Sequence, residues 1–381
     1  MLVAFNKPYF TGKETEYIKS AVEKGHISGN GYYTKLCQKY FEEKFGFRKS
    51  ILTTSCTDAL EMAAILCDIQ PGDEVIAPSY TFVSSVNAFI LRGAKIIFCD
   101  SRSDHPGIDE GKIRGLITPK TKAIVVVHYA GVACDMDHVM EIANENKLYV
   151  IEDAAHAIDS YYIGKDGVKK PLGSIGHMAA FSFHETKNII SGEGGMLVVN
   201  DERFVKRAEI IWEKGTNRSA FFKGEVDKYG WVDIGSSFLP SEIIAAFLYA
   251  QLENLEQIQN KRKSIWSEYY EGLKDLELQG KLRLARLPEF SSNNAHMFYV
   301  VCKSVAERDS LLSFLKQNQI NAVFHYLSLH KSSYHLANNP LVNLPNSDRY
   351  SDCLIRLPFF YELKKVEQKI IINSILTFYN L

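Results

Sequence analysis

Two stretches decide the fold: residues 149–156, YVIEDAAH, and residues 181–188, FSFHETKN. Each begins with apolar residues typical of a buried strand and then becomes polar, the first at a pair of carboxylates and the second ahead of a lysine. Parallel α/β sheets bind their ligands at the carboxyl ends of strands, so reactive groups in these positions are candidates for chemistry. We therefore take Asp153 and Lys187 as the centre of a candidate site.

Five further apolar runs flank these two stretches between about residues 50 and 200. They are continuously apolar rather than alternating, as expected of strands buried on both faces. Several are separated by amphipathic stretches with helical spacing. The runs lie at residues 51–52, 75–77, 96–99, 123–127 and 196–199. This alternation predicts an α/β fold with a largely parallel sheet flanked by helices.

A different pattern begins near Pro240. Apolar residues with helical spacing over 244–258 predict one long helix that leaves the first domain, with Pro240 near its start. The elements predicted beyond it are strands at 298–301 and 322–324 and a helix at 311–315. We predict a large domain over residues 1–245 and a smaller α+β domain over residues 246–381.

Composition narrows the class of protein. The 381 residues include 44 Lys plus Arg and 45 Asp plus Glu, a net charge of −1 that does not favour a general nucleic-acid or membrane-surface binder. No apolar run is long enough to cross a bilayer, and the first residues lack the pattern of a secretion signal. The seven cysteines form no CxxC pair, which is typical of reduced thiols. We expect a cytoplasmic protein without nucleic-acid or membrane partners.

A third segment, residues 53–60 (TTSCTDAL), joins a short strand to a helix through hydroxyl residues. Ser55 and Asp58 have capping-box spacing, and a helix start offers unpaired N–H groups that can receive a phosphate. Taken singly, each of the three segments is explained as well by a helix cap or a loop lysine. Together they supply the lysine, the acid and the phosphate site that pyridoxal 5'-phosphate (PLP) needs.

These segments resemble the DegT/DnrJ/StrS sugar-nucleotide aminotransferases, and the similarity extends over nearly the whole chain from Pro8. Other matching segments are residues 25–31, 71–75, 78–82, 128–131 and 214–218. Residues 181–188 and 294–299 carry a narrower similarity to the dTDP-4-amino-4,6-dideoxyhexose transaminases. The resemblance implies the aspartate aminotransferase-like fold (PLP fold type I), with a mainly parallel seven-stranded sheet in the large domain, and a homodimer with shared active sites.

The resemblance also implies roles for single residues. Lys187 would carry PLP as a Schiff base and shuttle a proton, and Asp153 would hold the pyridinium nitrogen. The other implied cofactor contacts are the backbone amides of Thr57 and Asp58, the Ser182 hydroxyl, the Phe82 ring stacked on PLP, His156 beside the phenolic oxygen, and Asn217 at the phosphate of the neighbouring subunit. The implied sugar-nucleotide contacts are His184, His325, Tyr326 and His330. The two histidines at 325 and 330 lack a third ligand with suitable spacing, so we expect no metal.

Some of these assignments depart from the family pattern. Cys56 stands where relatives often have Gly. His156 stands where many relatives have Gln, and either His or Gln can form a hydrogen bond with the phenolic oxygen of PLP. Phe82 has an alternative interpretation as a core aromatic of the following helix. A sugar dehydratase of the same fold is disfavoured, because that branch replaces the lysine by histidine and Lys187 is present here.

The implied reaction is transamination of dTDP-4-keto-6-deoxy-D-glucose with L-glutamate, through pyridoxamine phosphate. Its product would be a dTDP-4-amino-4,6-dideoxyhexose for O-antigen or another bacterial surface polysaccharide. No motif decides between the galacto and gluco configurations at C4. Two alternatives stay open: a 3-aminotransferase acting on the 3-keto isomer, and a PLP-binding regulator without turnover.

Overall fold

The computed structural model describes residues 2–380. Within that range the strands are β1 (Lys49–Thr53), β2 (Glu74–Pro78), β3 (Lys95–Cys99), β4 (Thr121–Val127), β5 (Tyr149–Asp153), β6 (Tyr161–Ile163), β7 (Lys169–Pro171), β8 (Met178–Ser182), β9 (Gly195–Val199), β10 (Arg283–Leu284), β11 (Tyr299–Val301), β12 (Val323–Phe324) and β13 (Leu354–Arg356). The helices are α1 (Glu14–Glu23), α2 (Tyr32–Phe45), α3 (Cys56–Leu66), α4 (Ser84–Ile90), α5 (Glu110–Ile113), α6 (Met136–Asn146), α7 (Glu202–Trp212), α8 (Arg218–Phe222), α9 (Glu242–Glu253), α10 (Leu255–Leu278), α11 (Val305–Gln317), α12 (Ser333–Leu336), α13 (Pro345–Cys353) and α14 (Lys365–Asn380). None of the helices in this range is long and apolar enough to span a membrane.

The large sheet has seven strands in the order β1-β9-β8-β5-β4-β2-β3. The strands from β8 to β3 run parallel to their neighbours, whereas β9 is antiparallel to both β8 and β1. These seven strands coincide with the seven apolar runs of the sequence, because strands covered by helices on both faces are apolar along their whole length. The predicted fold class is confirmed.

The order of the strands brings the candidate residues together. β5 and β8 are parallel neighbours, with Asp153 paired to Ala180, so their carboxyl ends lie side by side. Asp153 ends β5, and the loop that follows β8 carries Lys187. β1, which feeds α3, lies two strands from β8 across β9.

The small domain is built on a four-stranded sheet in the order β10-β11-β13-β12, whose pairs are all antiparallel. The prediction of one long helix over residues 244–258 was wrong in one respect, because α9 and α10 are separate helices. Asn254 separates them with non-helical angles (φ −106°, ψ 10°), and its side-chain amide donates to the Ala250 carbonyl, a local bond that competes with helix propagation. Ile258 packs in the core of the large domain and Ile265 in that of the small one. The limits 1–245 and 246–381 stay a prediction.

Candidate active site

A cavity of about 580 Å³ lies where β5 and β8 end, between the two domains. Nine of the predicted site residues line it: Thr57, Phe82, Asp153, His156, Ser182, His184, Lys187, His325 and Tyr326. Asp58, Asn217 and His330 are absent from its wall. Two residues that the sequence did not single out, His296 and Arg356, belong to it.

The two carboxylates that end β5 have different partners. Glu152 is fully buried and accepts hydrogen bonds from the backbone amides of Gly173 and Gly176 and from the His128 ring, 2.9 Å away. Burial would raise the pKa of Glu152, but these hydrogen bonds outweigh it and lower the pKa. Glu152 is therefore a structural residue, and Asp153 alone faces the cavity.

Hydroxyl and amide donors hold the Asp153 carboxylate in place. The Ser85 hydroxyl donates to Oδ2 at 2.6 Å, and the Ala155 amide donates to Oδ1 at 3.1 Å. Ser85 in turn lies 2.8 Å from the Thr81 hydroxyl. Within residues 2–380 no cationic side chain forms an ion pair with Asp153, so its charge is available to a cationic ligand atom.

Lys187 follows β8 in a tightly bonded loop. Its amide donates to the His184 carbonyl at 2.9 Å, and the next residue, Asn188, is buried and donates to Gln259 and to the Asn294 carbonyl. Burial lowers the pKa of Lys187 to about 8, against the opposing effect of nearby groups such as Asp153. The neutral, nucleophilic amine is therefore available slightly above neutral pH.

The start of α3 supplies a site for an anion. The Ser55 hydroxyl caps the helix by accepting from the Asp58 amide at 3.1 Å, and the Asp58 carboxylate accepts from the Thr54 hydroxyl. The Asp58 amide is thus already bonded, whereas the amides of Cys56 and Thr57 have no acceptor among residues 2–380. The structure therefore favours Cys56 and Thr57 over Asp58 as phosphate donors.

Gly195 explains why this helix start can lie against the sheet. A Cβ on Gly195 would lie 2.3 Å from the Ser55 carbonyl carbon, a distance that only a glycine permits. Because Gly195 begins β9, the strand between β1 and β8, the contact brings the start of α3 close to the end of β8. Ser182, at the end of β8, therefore lines the cavity together with Thr57.

His156 and His296 stack in the cavity wall with ring centroids 4.2 Å apart. Burial lowers the pKa of both well below the usual value, and the positive charge of Lys187 adds to this effect, so both rings are neutral. The Ala130 amide donates to Nδ1 of His156, which places the remaining proton on Nε2. His156 can therefore donate a hydrogen bond to an oxygen in the cavity, as its predicted role requires.

The small domain contributes a second wall. Nδ1 of His325 is hydrogen-bonded to the Tyr129 hydroxyl at 2.6 Å, and the His325 ring stacks on Tyr326 at a centroid distance of 3.5 Å. Tyr326 has a left-handed backbone (φ +54°), an uncommon conformation for a bulky residue. His330 does not belong to this wall, since it is buried elsewhere with its Nδ1 2.7 Å from the Ser79 hydroxyl.

Two further predicted residues, Phe82 and Asn217, differ in their position relative to the cavity. Phe82 is 54% exposed and lines the cavity, so it is not a core aromatic. Asn217 lies outside the cavity of its own chain, where its side-chain oxygen accepts from the Gly230 amide at 2.8 Å. A role for Asn217 at the phosphate of a neighbouring subunit stays a prediction.

These residues fit PLP. Among residues 2–380, the cavity combines a lysine with a lowered pKa, a buried carboxylate without an ion-pair partner, helix-start amides without an acceptor and an exposed aromatic ring. The carboxylate suits the ring nitrogen, the amides suit the phosphate and the lysine suits the aldehyde. The fold and the cavity together define a PLP-dependent aminotransferase.

The DegT/DnrJ/EryC1/StrS aminotransferase family model matches residues 8–376, and the chain belongs to this family. The aminotransferase from Psychrobacter cryohalolentis is 26% identical, with a TM-score of 0.91 over 100% of this chain and 99% of that one. DesV of S. venezuelae, solved with a ketimine intermediate, is 26% identical, with a TM-score of 0.89 over 100% of this chain and 99% of that one. A protein assigned as a sugar aminotransferase from Streptococcus pneumoniae, in its PMP form, is 25% identical, with a TM-score of 0.90 over 99% of each chain. The predictions of an aminotransferase and of PLP as its cofactor are confirmed.

Proposed function

We propose that the chain transfers the amino group of L-glutamate to C4 of dTDP-4-keto-6-deoxy-D-glucose. The product is a dTDP-4-amino-4,6-dideoxyhexose for surface polysaccharide. One observation carries the proposal: residues 181–188 and 294–299, which carry the narrower sequence similarity, are bonded to each other beside the cavity. Asn188 donates to the Asn294 carbonyl at 2.9 Å, and His296 Nδ1 donates to the Asn188 side-chain oxygen at 2.8 Å.

The residues of the cavity have separate tasks in this reaction. Bound PLP supplies an aldehyde for amine exchange and a ring that accepts electrons from the donor's α-carbon. Asp153 keeps a proton on the ring nitrogen, and the amides of Cys56 and Thr57 hold the phosphate. Lys187 Nζ takes the proton from the donor's α-carbon and later returns one at C4 of the sugar.

The proposal includes a homodimer with shared active sites. The segment that follows Asn217 exposes several large apolar side chains, an arrangement typical of an interaction surface. The most exposed are Phe222 (70%), Trp231 (81%), Tyr229 (54%) and Val232 (54%). A second copy that covers this segment would bring Asn217 towards the cofactor phosphate of its neighbour.

The test is the structure of the product. The purified protein, loaded with PLP, is incubated with L-glutamate and dTDP-4-keto-6-deoxy-D-glucose, and proton coupling constants of the product are measured by NMR. Nitrogen on C4 supports the proposal, and the couplings around C4 give the galacto or gluco configuration. Nitrogen on C3, or turnover with the 3-keto isomer alone, would establish the 3-aminotransferase instead.

A simpler measurement separates an enzyme from a PLP-binding regulator. An excess of L-glutamate should convert the visible absorbance of bound PLP to that of pyridoxamine phosphate. The same treatment with D-glutamate serves as the control. If no amino donor changes the spectrum, the protein binds PLP without turnover and the proposal fails.

A further inference from the structure

His296, which the sequence did not single out, lies in a segment with an uncommon backbone. The preceding residue, Ala295, has a left-handed conformation (φ +51°) although it carries a side chain. Arg262 donates to the carbonyls of Ala295 and His296 at 3.0 and 2.6 Å. The His296 amide donates to Asn294 Oδ1 at 3.0 Å. Such a conformation persists only where its surroundings enforce it, and it is typical of functional sites. These hydrogen bonds therefore fix the position of His296.

Asn294 also binds the segment that carries His156. Its side-chain nitrogen donates to the carbonyls of His156 and Ile158 at 2.7 and 2.8 Å. Gly131 lies so close to the oxygen of the same side chain that a Cβ there would be 2.1 Å from it, which leaves Asn294 no room to shift. One buried asparagine therefore fixes His156, which follows β5 of the large sheet, relative to His296, which precedes β11 of the small sheet.

The hydrogen bonds around Asn188 determine which nitrogen of His296 carries the proton. The Asn188 side-chain nitrogen donates to the Gln259 side-chain oxygen and to the Asn294 carbonyl. The Asn188 side-chain oxygen therefore accepts from Nδ1 of His296, 2.8 Å away. Because the His296 ring is neutral, its Nε2 has no proton and cannot donate. Of the two stacked rings, only His156, with its proton on Nε2, can donate a hydrogen bond into the cavity.

The His156 ring depends on its neighbours for its orientation. The bond from the Ala130 amide to its Nδ1 is long, at 3.3 Å, and its Nε2 has no acceptor among residues 2–380. His296 covers one face of the ring, with centroids 4.2 Å apart and planes 16° from parallel. Tyr129 meets the ring at 75° with a centroid distance of 5.8 Å. The stack on His296 is therefore the closest ring contact of His156, and it opposes rotation of that ring.

We propose that His296 is a positioning residue, which by stacking on His156 keeps the Nε2–H of His156 directed at the phenolic oxygen of PLP. The inference rests on the proposed function in one point, the predicted contact between His156 and that oxygen, and the sugar does not enter it. A hydrogen bond to the phenolic oxygen stabilises its negative charge and weakens its hold on the proton that it shares with the nitrogen of Lys187. The stack should therefore keep the pKa of lysine-linked PLP low.

An absorbance titration of the PLP-loaded protein tests the inference without turnover. His296→Asn removes the ring and keeps an amide donor for the Asn188 oxygen. The midpoint for lysine-linked PLP should then move to higher pH, by about a 3- to 10-fold change in the acid dissociation constant. His296→Phe keeps a stacked ring and loses the donor, so the midpoint should stay within about twofold of the parent while the melting temperature falls.

The matched control is His138→Phe, which changes a histidine of α6 outside the cavity wall and should leave the midpoint and the melting temperature close to those of the parent. The other charged and titratable groups that face the two rings are the same in every variant: Tyr129, Lys187, Arg262, His325 and Arg356.

The two His296 variants separate positioning from a purely structural role. If His296 served only to hydrogen-bond Asn188, His296→Phe would shift the midpoint more than His296→Asn, and that order would overturn the inference. An unshifted midpoint in His296→Asn would also overturn it. If His296→Asn does not fold, His296→Leu replaces it, because Leu and Phe both lack the donor and differ in the ring.

Variants of His156 show whether the effect passes through its ring. His156→Phe keeps the stack but cannot donate, so it should raise the midpoint at least as much as His296→Asn. In His156→Gln, which can donate but has no ring to stack, adding His296→Asn should cause little further shift. Equal shifts from His296→Asn in the parent and in His156→Gln, or a parent-like midpoint in His156→Phe, would overturn the inference. A protein that shows the expected shifts but never aminates the sugar would support the inference and refute the proposed function alone.

Discussion

The two walls of the cavity are built in different ways. In the large-domain wall, Asp153, Lys187 and the start of α3 follow strands of one sheet, and hydrogen bonds hold each of them in place. In the small-domain wall, His325 and Tyr326 follow β12 and Arg356 ends β13. Tyr326 has a left-handed backbone, and no carboxylate of residues 2–380 forms an ion pair with Arg356. We interpret the first wall as the cofactor side and the second as the side that alternates between two substrates. Substitutions in the cofactor wall should slow both half-reactions. Substitutions in the small-domain wall should slow either the reaction with the amino donor or the reaction with the keto sugar more than the other.

Lys187→Ala should have the largest effect. The variant loses both the amine that attaches PLP and the group that moves the proton, so turnover should fall about 10⁴-fold or more in both half-reactions. The visible absorbance of lysine-linked PLP should disappear as well. Lys316→Ala, at an exposed site on α11, should behave as the parent. Near-normal turnover in Lys187→Ala would refute the assignment of the cofactor wall.

Gly195→Ala tests the contact between β9 and α3. The added Cβ would meet the Ser55 backbone at 2.3 Å, so the helix start must move. Overpacking of this kind costs about 1–3 kcal/mol of unfolding free energy, and displaced amides should weaken PLP binding about tenfold or more. Gly115→Ala is the matched control, since a Cβ there meets nothing within 4 Å. Thermal melts and PLP titrations of both variants would show whether the cofactor wall depends on this contact.

Most of the residues predicted for the cofactor wall do line the cavity, because they follow apolar strands in short contiguous motifs. The sequence placed Asp153 at the site but gave Glu152 no role, since the His128 partner that makes Glu152 structural lies 24 positions earlier in the chain. His296 and Arg356 were missed for the same reason: only the assembly of the small domain brings them to the cavity. His330 is the opposite case: it is close in sequence to His325, but it lies outside the cavity wall, where its Nδ1 is hydrogen-bonded to the Ser79 hydroxyl.

The ionisation of Lys187 gives a test that involves both walls. Neutral Lys187 is the form that attacks the aldehyde, so apoprotein should combine with PLP faster as pH rises, with a midpoint near pH 8. The negative charge of Asp153 raises the pKa of Lys187 and the positive charge of Arg356 lowers it. The midpoint should therefore move down in Asp153→Asn and up in Arg356→Gln. Stopped-flow absorbance from pH 6 to 10 would measure both, and shifts in the same direction would contradict this arrangement of charges.

Ser85→Ala should have the smallest effect. It tests whether the hydrogen bond from Ser85 is needed to position the Asp153 carboxylate in the cofactor wall. Ser85 does not line the cavity, but its hydroxyl donates to Asp153 Oδ2 at 2.6 Å. Losing one hydrogen bond to a carboxylate should let that group rotate and slow both half-reactions about three- to tenfold. Ser85→Thr, which keeps the hydroxyl, should restore most of the rate.

A purely structural role for Ser85 would lower the melting temperature without changing the pH dependence of the PLP spectrum. A positioning role should change that pH dependence, because the ring nitrogen responds to where the Asp153 charge lies.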